Sequence, residues 1–445
     1  MKKILFWSLL VFATLSHAQN TVSVVASDPN GVTLKFRLNQ YQLKKVNTNR
    51  GEAIQVTAPQ SYPLMKSGTP DVLKMTAAII LPNTGNIATS VVSEKHTDIS
   101  SILLVPSKGN LHRNINPATI DYTFGNAYQQ DEFFPKALTK SNTPYIARSI
   151  RGCSVDANMI QYNPISKVLR IYSEMVVRVS FTKDQGINEL ANPKPIDADF
   201  SAIYRQNYIN YNPAKYTALS ETGELLIICY DNFMSAMRPF VNHKQSMGIP
   251  TTMVASSSAG TTAAQIKAYI SNYYNNPNHN LKYVLLVGDH AQVPSNMIST
   301  SEGTGASDNT YAYILGNDHY PEIFVGRFSA ETVTHVNTMV QRTITYENNP
   351  TTGNWLSSGL GIGSDQGPGD NNEYDYEHIR NIRTKLQGYT YTTSVAEVYD
   401  GSQGGQDASG DATAAQVTTA VNQGVGIINY CGHGDWNMFV SSNFT

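Results

Sequence analysis

Cysteine is scarce in this chain: 445 residues carry only Cys153, Cys229 and Cys431. A small exported domain stapled by disulfides carries more, in even number, so the fold must rest on packed apolar side chains. Charge is scarce too. Acidic and basic residues make up 15% of the chain and nearly cancel, at a net −2. That leaves no basic field for nucleic acid or an anionic membrane surface. Beyond the N-terminus no run is apolar enough to span a bilayer.

Turning to what is present, Lys2 and Lys3 precede the apolar run Ile4 to Leu15, and Ser16-His17-Ala18 offers a small-x-small cleavage site. This is the layout of a cleaved secretory signal over residues 1–18, and it predicts a secreted or cell-surface protein. Tyrosine is abundant, at 26 residues. The length allows two to four domains.

Residues 19–192 alternate apolar and polar positions in short stretches: Thr21–Val25, Val32–Leu38, Ala53–Thr57, Leu73–Leu81, Ile102–Val105, Val168–Tyr172 and Met175–Phe181. Turn residues such as Asp28-Pro29-Asn30-Gly31 separate them, which predicts an all-β sandwich. No catalytic constellation lies there, so the half reads as a covering or binding domain. Residues 193–215, with Pro193, Pro195 and Pro213, read as an irregular linker.

After Lys215 the period changes. Strand patterns at Glu224–Tyr230, Pro250–Val254, Lys282–Val287, Trp355–Ile362 and Val425–Cys431 alternate with helical patterns. The helical stretches are Asn232–Met247, Thr262–Tyr274, Thr332–Tyr346, Glu373–Leu386 and Thr413–Asn422. Alternation of this kind predicts a mostly parallel sheet with helices on both faces. Ligands of such sheets bind beyond the carboxyl ends of the strands. Val425–Cys431 reads as a buried strand, and Gly432-His433-Gly434 follows it. His433 therefore stands where chemistry sits, and imidazole exchanges protons near neutral pH. The Thr-Ala-Ala-Gln openings at Thr262 and Thr413 mark two similar helix–strand units, which would deliver Asp289 and His433 to the same sheet edge.

Asp318, Tyr320 and Glu322 alternate, so in an extended loop they project to one side. With Asp289 and backbone carbonyls they would form an all-oxygen shell suited to calcium, and a solvated acidic turn fits equally. Zinc lacks the His and Cys pairing it needs.

From about Lys215 to Thr445 the chain resembles the gingipain family of cysteine proteases, peptidase family C25. The resemblance rests on Tyr283 to His290, Gly316-Asn317-Asp318-His319-Tyr320, Val325-Gly326-Arg327-Phe328, Asp375-x-x-His378 and Asn429 to Gly434, in that order. It implies a caspase-like α/β domain over residues 216–445, preceded by an inhibitory β-rich pro-domain. It assigns His433 as the base or acid that pairs with a thiol, the Gly434 amide to the oxyanion and Asp365 to steadying the imidazole. Asp375 becomes the pocket acid for a basic side chain. Asp289, Asp318 and Glu322 become calcium ligands, with carbonyls from Leu315 and Tyr320. Lys215-Tyr216 resembles the processing junction. The implied partners are polypeptide substrates and the chain's own pro-domain as an intramolecular inhibitor.

The family's nucleophilic cysteine follows the strand after the histidine, which places it beyond Thr445. Cys431 shares a strand with His433 and is poorly placed to hand it a proton. The expected activity is a cysteine endopeptidase cleaving after arginine or lysine, with this chain itself inactive. The alternatives are a calcium-stiffened surface protein without catalysis, a metal-dependent hydrolase built on the Asp and His clusters, and a sorting transpeptidase of the same family.

Overall fold

Alternation decides the first half. In Gly31–Arg37 the residues Val32, Leu34 and Phe36 point one way, and in Leu73–Leu81 so do Met75, Ala77 and Ile79; all join one buried core. The computed structural model describes residues 21–112, 115–215, 223–300, 303–368, 373–435 and 437–445. The expected signal over residues 1–18 lies outside them.

Two five-stranded antiparallel sheets face each other across that core. One is ordered Thr21–Asp28, Gly31–Arg37, Val168–Phe181, Ile160–Asn163, with Ile87–Ile99 also paired to Val168–Phe181. The other is built on Leu73–Leu81 against Ile150–Asn158. The sandwich was legible, but three details differ. Ile102–Val105 buries Leu104 and Val105 yet forms only isolated bridges, and Pro106 follows directly. Val168–Phe181 is one strand, not two; its register shifts around Ser173 and turns that serine outward. Ile87–Ile99 is a strand despite a mostly exposed, polar sequence, because the cross-strand ladder and not burial holds it.

The expected linker contains a helix, Ala198–Asn207. Asp197 caps it by accepting from the Asp199 and Phe200 amides. Its apolar side packs Phe200 and Tyr204, with Tyr208 beyond its end, against Ile80, Tyr145 and Ile150 of the sandwich. Two prolines masked a short amphipathic stretch.

The second half is α/β, as expected, but it holds two parallel sheets. The first is ordered Thr251–Ala255, Glu224–Cys229, Leu281–Val287, Phe324–Phe328. Leu225, Ile227 and Cys229 meet helices Met234–Ser246 and Val333–Asn348, while Leu226 and Ile228 meet helix Ala263–Asn275. The second is three-stranded, ordered Ser394–Tyr399, Ser358–Gly363, Ile427–Cys431. Asp289 and His433 therefore do not share a sheet edge. The ladder breaks after Phe324–Phe328, and Ser358–Gly363 takes its partners from later in the chain.

Glycine shapes the second sheet. A Cβ on Gly361 would come within 2.5 Å of the Ile379 side chain, and one on Gly363 within 2.8 Å of the Tyr376 backbone. Bare strand thus lets helix Asp375–Gln387 lie close, with its first turn at the strand's carboxyl end. The strand Ile427–Cys431, expected to be buried, is a half-exposed edge strand: among the described residues it pairs only with Ser358–Gly363, and Ile428 is 42% exposed.

Candidate active site

Two neighbouring parallel strands end together. Gly363 pairs with Cys431, and the Ser364 amide donates to the Cys431 carbonyl at 2.9 Å. The loops that follow, Ser364-Asp365-Gln366 and Gly432-His433-Gly434, therefore face one another. Between them lies a cleft of about 320 Å³, lined by Ser364, Asp365, Gln366, Asp400, Asp411 and His433 among others.

His433 is exposed to this cleft, and its Nε2 lies 3.0 Å from Gln366 Oε1. With the amide oxygen as acceptor, Nε2 carries the proton and Nδ1 is the basic nitrogen. The backbone below is fixed: the His433 carbonyl accepts from the Tyr430 hydroxyl at 2.5 Å and from the Val440 amide at 3.0 Å. A Cβ on Gly432 would sit 2.6 Å from Ser441 Oγ and 2.7 Å from the Tyr430 hydroxyl, so any larger residue there would have to shift those side chains. At Gly434 a Cβ would meet nothing within 4 Å, so its backbone borders open space.

Asp365 is exposed on the same cleft, but the ring's partner is its neighbour Gln366. Burial raises the Asp400 carboxyl above the usual carboxylate range, and the nearby Asp365 and Asp411 charges raise it further. The cleft is thus acidic on one wall. Asp375 is buried at 4% exposure and accepts from Ser364 Oγ at 2.6 Å. It sits directly behind the cleft lining, in the first turn of a helix where a carboxylate is favoured. Sequence reasoning missed Gln366 and Asp400. Gln366 neighbours Asp365 but has no charge to flag it, and Asp400 follows a strand, Ser394–Tyr399, that the pattern did not reveal.

The thiols sort cleanly. Cys153 and Cys229 are fully buried, and burial pushes them up to about 11 and about 12. Cys229 is the small buried hydrophobe expected of it. Cys431 is half-buried within the edge strand.

The expected calcium shell divides. Asp289 follows Leu281–Val287 and accepts from the Ser329 hydroxyl, at the carboxyl ends of the first sheet. Glu322 precedes Phe324–Phe328, at the amino ends. The strand between spans roughly 13 Å or more at about 3.3 Å per residue, so Asp289 cannot join the others. Asp318 and Glu322 do lie together: burial raises the Glu322 carboxyl to about 7, and the Asp318 charge adds to the rise. Glu322 Oε2 accepts from the Ile314 and Leu315 amides, while its Oε1 is buried without a partner. An orphaned carboxylate oxygen suits a cation. Asp318 Oδ2 accepts from the Ile146 amide and the Asn188 side chain, and the Tyr320 ring stacks on Tyr145 at 3.6 Å. Among the described residues no group of three or more His, Cys, Asp or Glu side chains could hold a metal ion.

Lys215 is exposed, its amide bonded to the Asn212 carbonyl. Tyr216 lies outside the described residues. Among those residues no helix is long and apolar enough to cross a membrane.

The model of peptidase family C25 matches residues 218–444, and that of the C25 propeptide matches residues 13–218. Gingipain R1 of Porphyromonas gingivalis is 34% identical over 431 residues, covering 95% of this chain and 42% of that protein. Gingipain R2 of the same organism is 32% identical over 431 residues, covering 95% and 57%. Lys-gingipain, also from that organism, is 25% identical over 333 residues, covering 70% and 19%. The chain spans less than two thirds of the length of these relatives.

Proposed function

Since the chain belongs to peptidase family C25, we propose that it is the pro-region and most of the catalytic domain of an exported cysteine endopeptidase that cleaves after arginine or lysine. The observation that carries this reading is the His433–Gln366 pair at 3.0 Å over an acidic cleft, at the carboxyl ends of paired parallel strands.

The chemistry follows from the side chains. Nδ1 of His433 takes the proton of a thiol, leaving a thiolate to attack the scissile carbonyl, and returns it to the leaving amine. The Gly434 amide, bordering open space, meets the developing oxyanion. Asp375, one hydrogen bond behind Ser364, attracts the basic side chain before the scissile bond, and Asp365 and Asp400 add negative potential. The reading takes its nucleophile from a cysteine downstream of Thr445, because two of the three thiols here are buried and Cys431 lies within the strand that carries His433. Lys215 is the processing position, the β-rich half is the intramolecular inhibitor, and polypeptides are the substrates. Calcium would be held by Asp318 and Glu322 with carbonyls of Leu315 and Tyr320, where it would neutralise two neighbouring carboxylates.

The test is a polypeptide extended past Thr445, assayed on peptides with arginine, lysine or neutral residues before the cut. Hydrolysis after basic residues, blocked by iodoacetamide, is the expected result. Activity untouched by the thiol reagent overturns the mechanism.

A further inference from the structure

The peptide that joins His433 to Gly434 is held by its oxygen from two sides. The Tyr430 hydroxyl donates to the His433 carbonyl at 2.5 Å, and the Val440 amide donates to it at 3.0 Å. Tyr430 belongs to the strand Ile427–Cys431 that precedes the histidine, whereas Val440 lies on the segment that returns after it. A carbonyl only accepts, so the single phenol proton is committed to it. The Ser441 hydroxyl, 3.2 Å from the phenol oxygen, is then the donor of that pair, and the Ser441 amide donates to the same oxygen at 3.3 Å.

Three local features bring the phenol to this place. Its ring stacks on Phe439, with centroids 4.5 Å apart and planes 18° from parallel. Both rings pack against the apolar cluster that holds Leu360, Ile362 and Val398. Gly432 leaves the passage between strand and histidine free of a side chain. The returning segment then pairs with the histidine loop. Gly434 and Phe439 face each other in an antiparallel bridge, and their neighbours make its bonds: Val440 amide to His433 carbonyl, and Asp435 amide to Met438 carbonyl at 3.1 Å. In such a pair the two facing residues turn their own N–H and C=O groups away from the partner segment.

These contacts fix the direction of the Gly434 amide. The His433–Gly434 peptide is trans and planar, so its N–H points opposite to its C=O. With the oxygen tied down, the hydrogen is turned outward, on the side where a Cβ on Gly434 would meet nothing within 4 Å. Donors on the oxygen also polarise the peptide. The chain from Ser441 through Tyr430 to the His433 carbonyl runs in the sense that makes the N–H a stronger donor. We propose that Tyr430 is a positioning residue for the oxyanion: its hydroxyl aims and polarises the Gly434 amide toward the oxygen of the tetrahedral intermediate. This role rests on the proteolytic reading above. Gln366 orients the ring of His433, and Tyr430 orients its peptide.

The test uses the polypeptide extended past Thr445 and two ligands that differ at one carbon. The first is a peptide ending in argininal or lysinal, whichever matches the parent's preference. The thiolate adds to the aldehyde carbon, the C=O pair moves onto oxygen, and the thiol proton stays on His433. The second is the matching alcohol, which has no carbonyl and forms no adduct. Tyr430→Phe keeps the ring and loses the hydroxyl. It should lower kcat on a basic peptide by about tenfold with KM within about twofold, and weaken the aldehyde by about the same factor. Affinity for the alcohol should hold within about twofold, and the melting midpoint should fall by no more than about 4 °C. Ser441→Ala removes the hydroxyl behind the phenol and should weaken the aldehyde by about threefold. Equal losses of aldehyde and alcohol, or an aldehyde affinity unchanged in Tyr430→Phe, overturn the proposal and leave the proteolytic reading standing. An extended parent that does not cleave after basic residues overturns both. Should Tyr430→Phe fail to fold, an aldehyde affinity unchanged in Ser441→Ala overturns the role of Tyr430 by itself.

Discussion

His433 and Gln366 stand 67 residues apart in the chain, yet their side chains meet at 3.0 Å. The contact fixes which ring nitrogen holds the proton. In an extended, active polypeptide, His433→Ala should lower kcat/KM by about a thousandfold or more, since it removes the proton carrier. Gln366→Ala should cost about tenfold, the worth of one orienting hydrogen bond. Steady-state assays on a basic peptide measure both, and a Gln366 variant as dead as the His433 variant would show that the amide does more than orient.

Asp375 separates binding from scaffolding. Asp375→Ala should reduce kcat/KM on arginine and lysine peptides by about a hundredfold and leave neutral peptides little changed. It should also cost about 1–3 kcal/mol of stability, because the Ser364 hydroxyl loses its buried acceptor. Equal losses on all peptides would reduce Asp375 to a structural acid.

Glu322 ties stability to pH. Its folded pKa, about 7, lies above the ordinary glutamate value of 4.5 because burial disfavours the charge. The folded state then binds the extra proton between those values, so stability falls as pH rises through the window, by about 3 kcal/mol. Calcium should offset the loss, so it should raise Tm more at pH 8 than at pH 6. Glu322→Gln should flatten both responses, and Asp289→Asn should leave both intact. Thermal melts with and without calcium decide it; a calcium response lost in Asp289→Asn and kept in Glu322→Gln would reinstate the opposite end of the sheet.

Cys431 closes the strand Ile427–Cys431 just before His433. Its carbonyl accepts from the Ser364 amide at 2.9 Å. Cys431→Ala in the extended polypeptide should keep kcat/KM within about threefold and change stability by about 1 kcal/mol or less. Activity abolished in a folded Cys431→Ala variant would make Cys431 the nucleophile.

Much of this was legible in the order of residues. Alternation gave the sandwich, helical spacing gave the helices, and Thr262 and Thr413 marked two helix starts, each of which the structure closes with a capping box. A glycine-flanked histidine after an apolar run located the cleft. These are local properties: period, turn chemistry and capping act over a few residues and need no partner far away.

What the sequence could not decide was which strand lies beside which. Whether Leu281–Val287 and Ile427–Cys431 join one sheet depends on hydrogen-bond partners chosen across a hundred residues. That choice put Asp289 at the opposite end of a strand from Asp318 and Glu322, set Gln366 and not Asp365 against His433, and buried Arg148, a charged turn residue, against the Leu281 and Glu322 carbonyls. Each follows from packing in three dimensions, where burial and unpaired polar atoms select among contacts that local pattern leaves open.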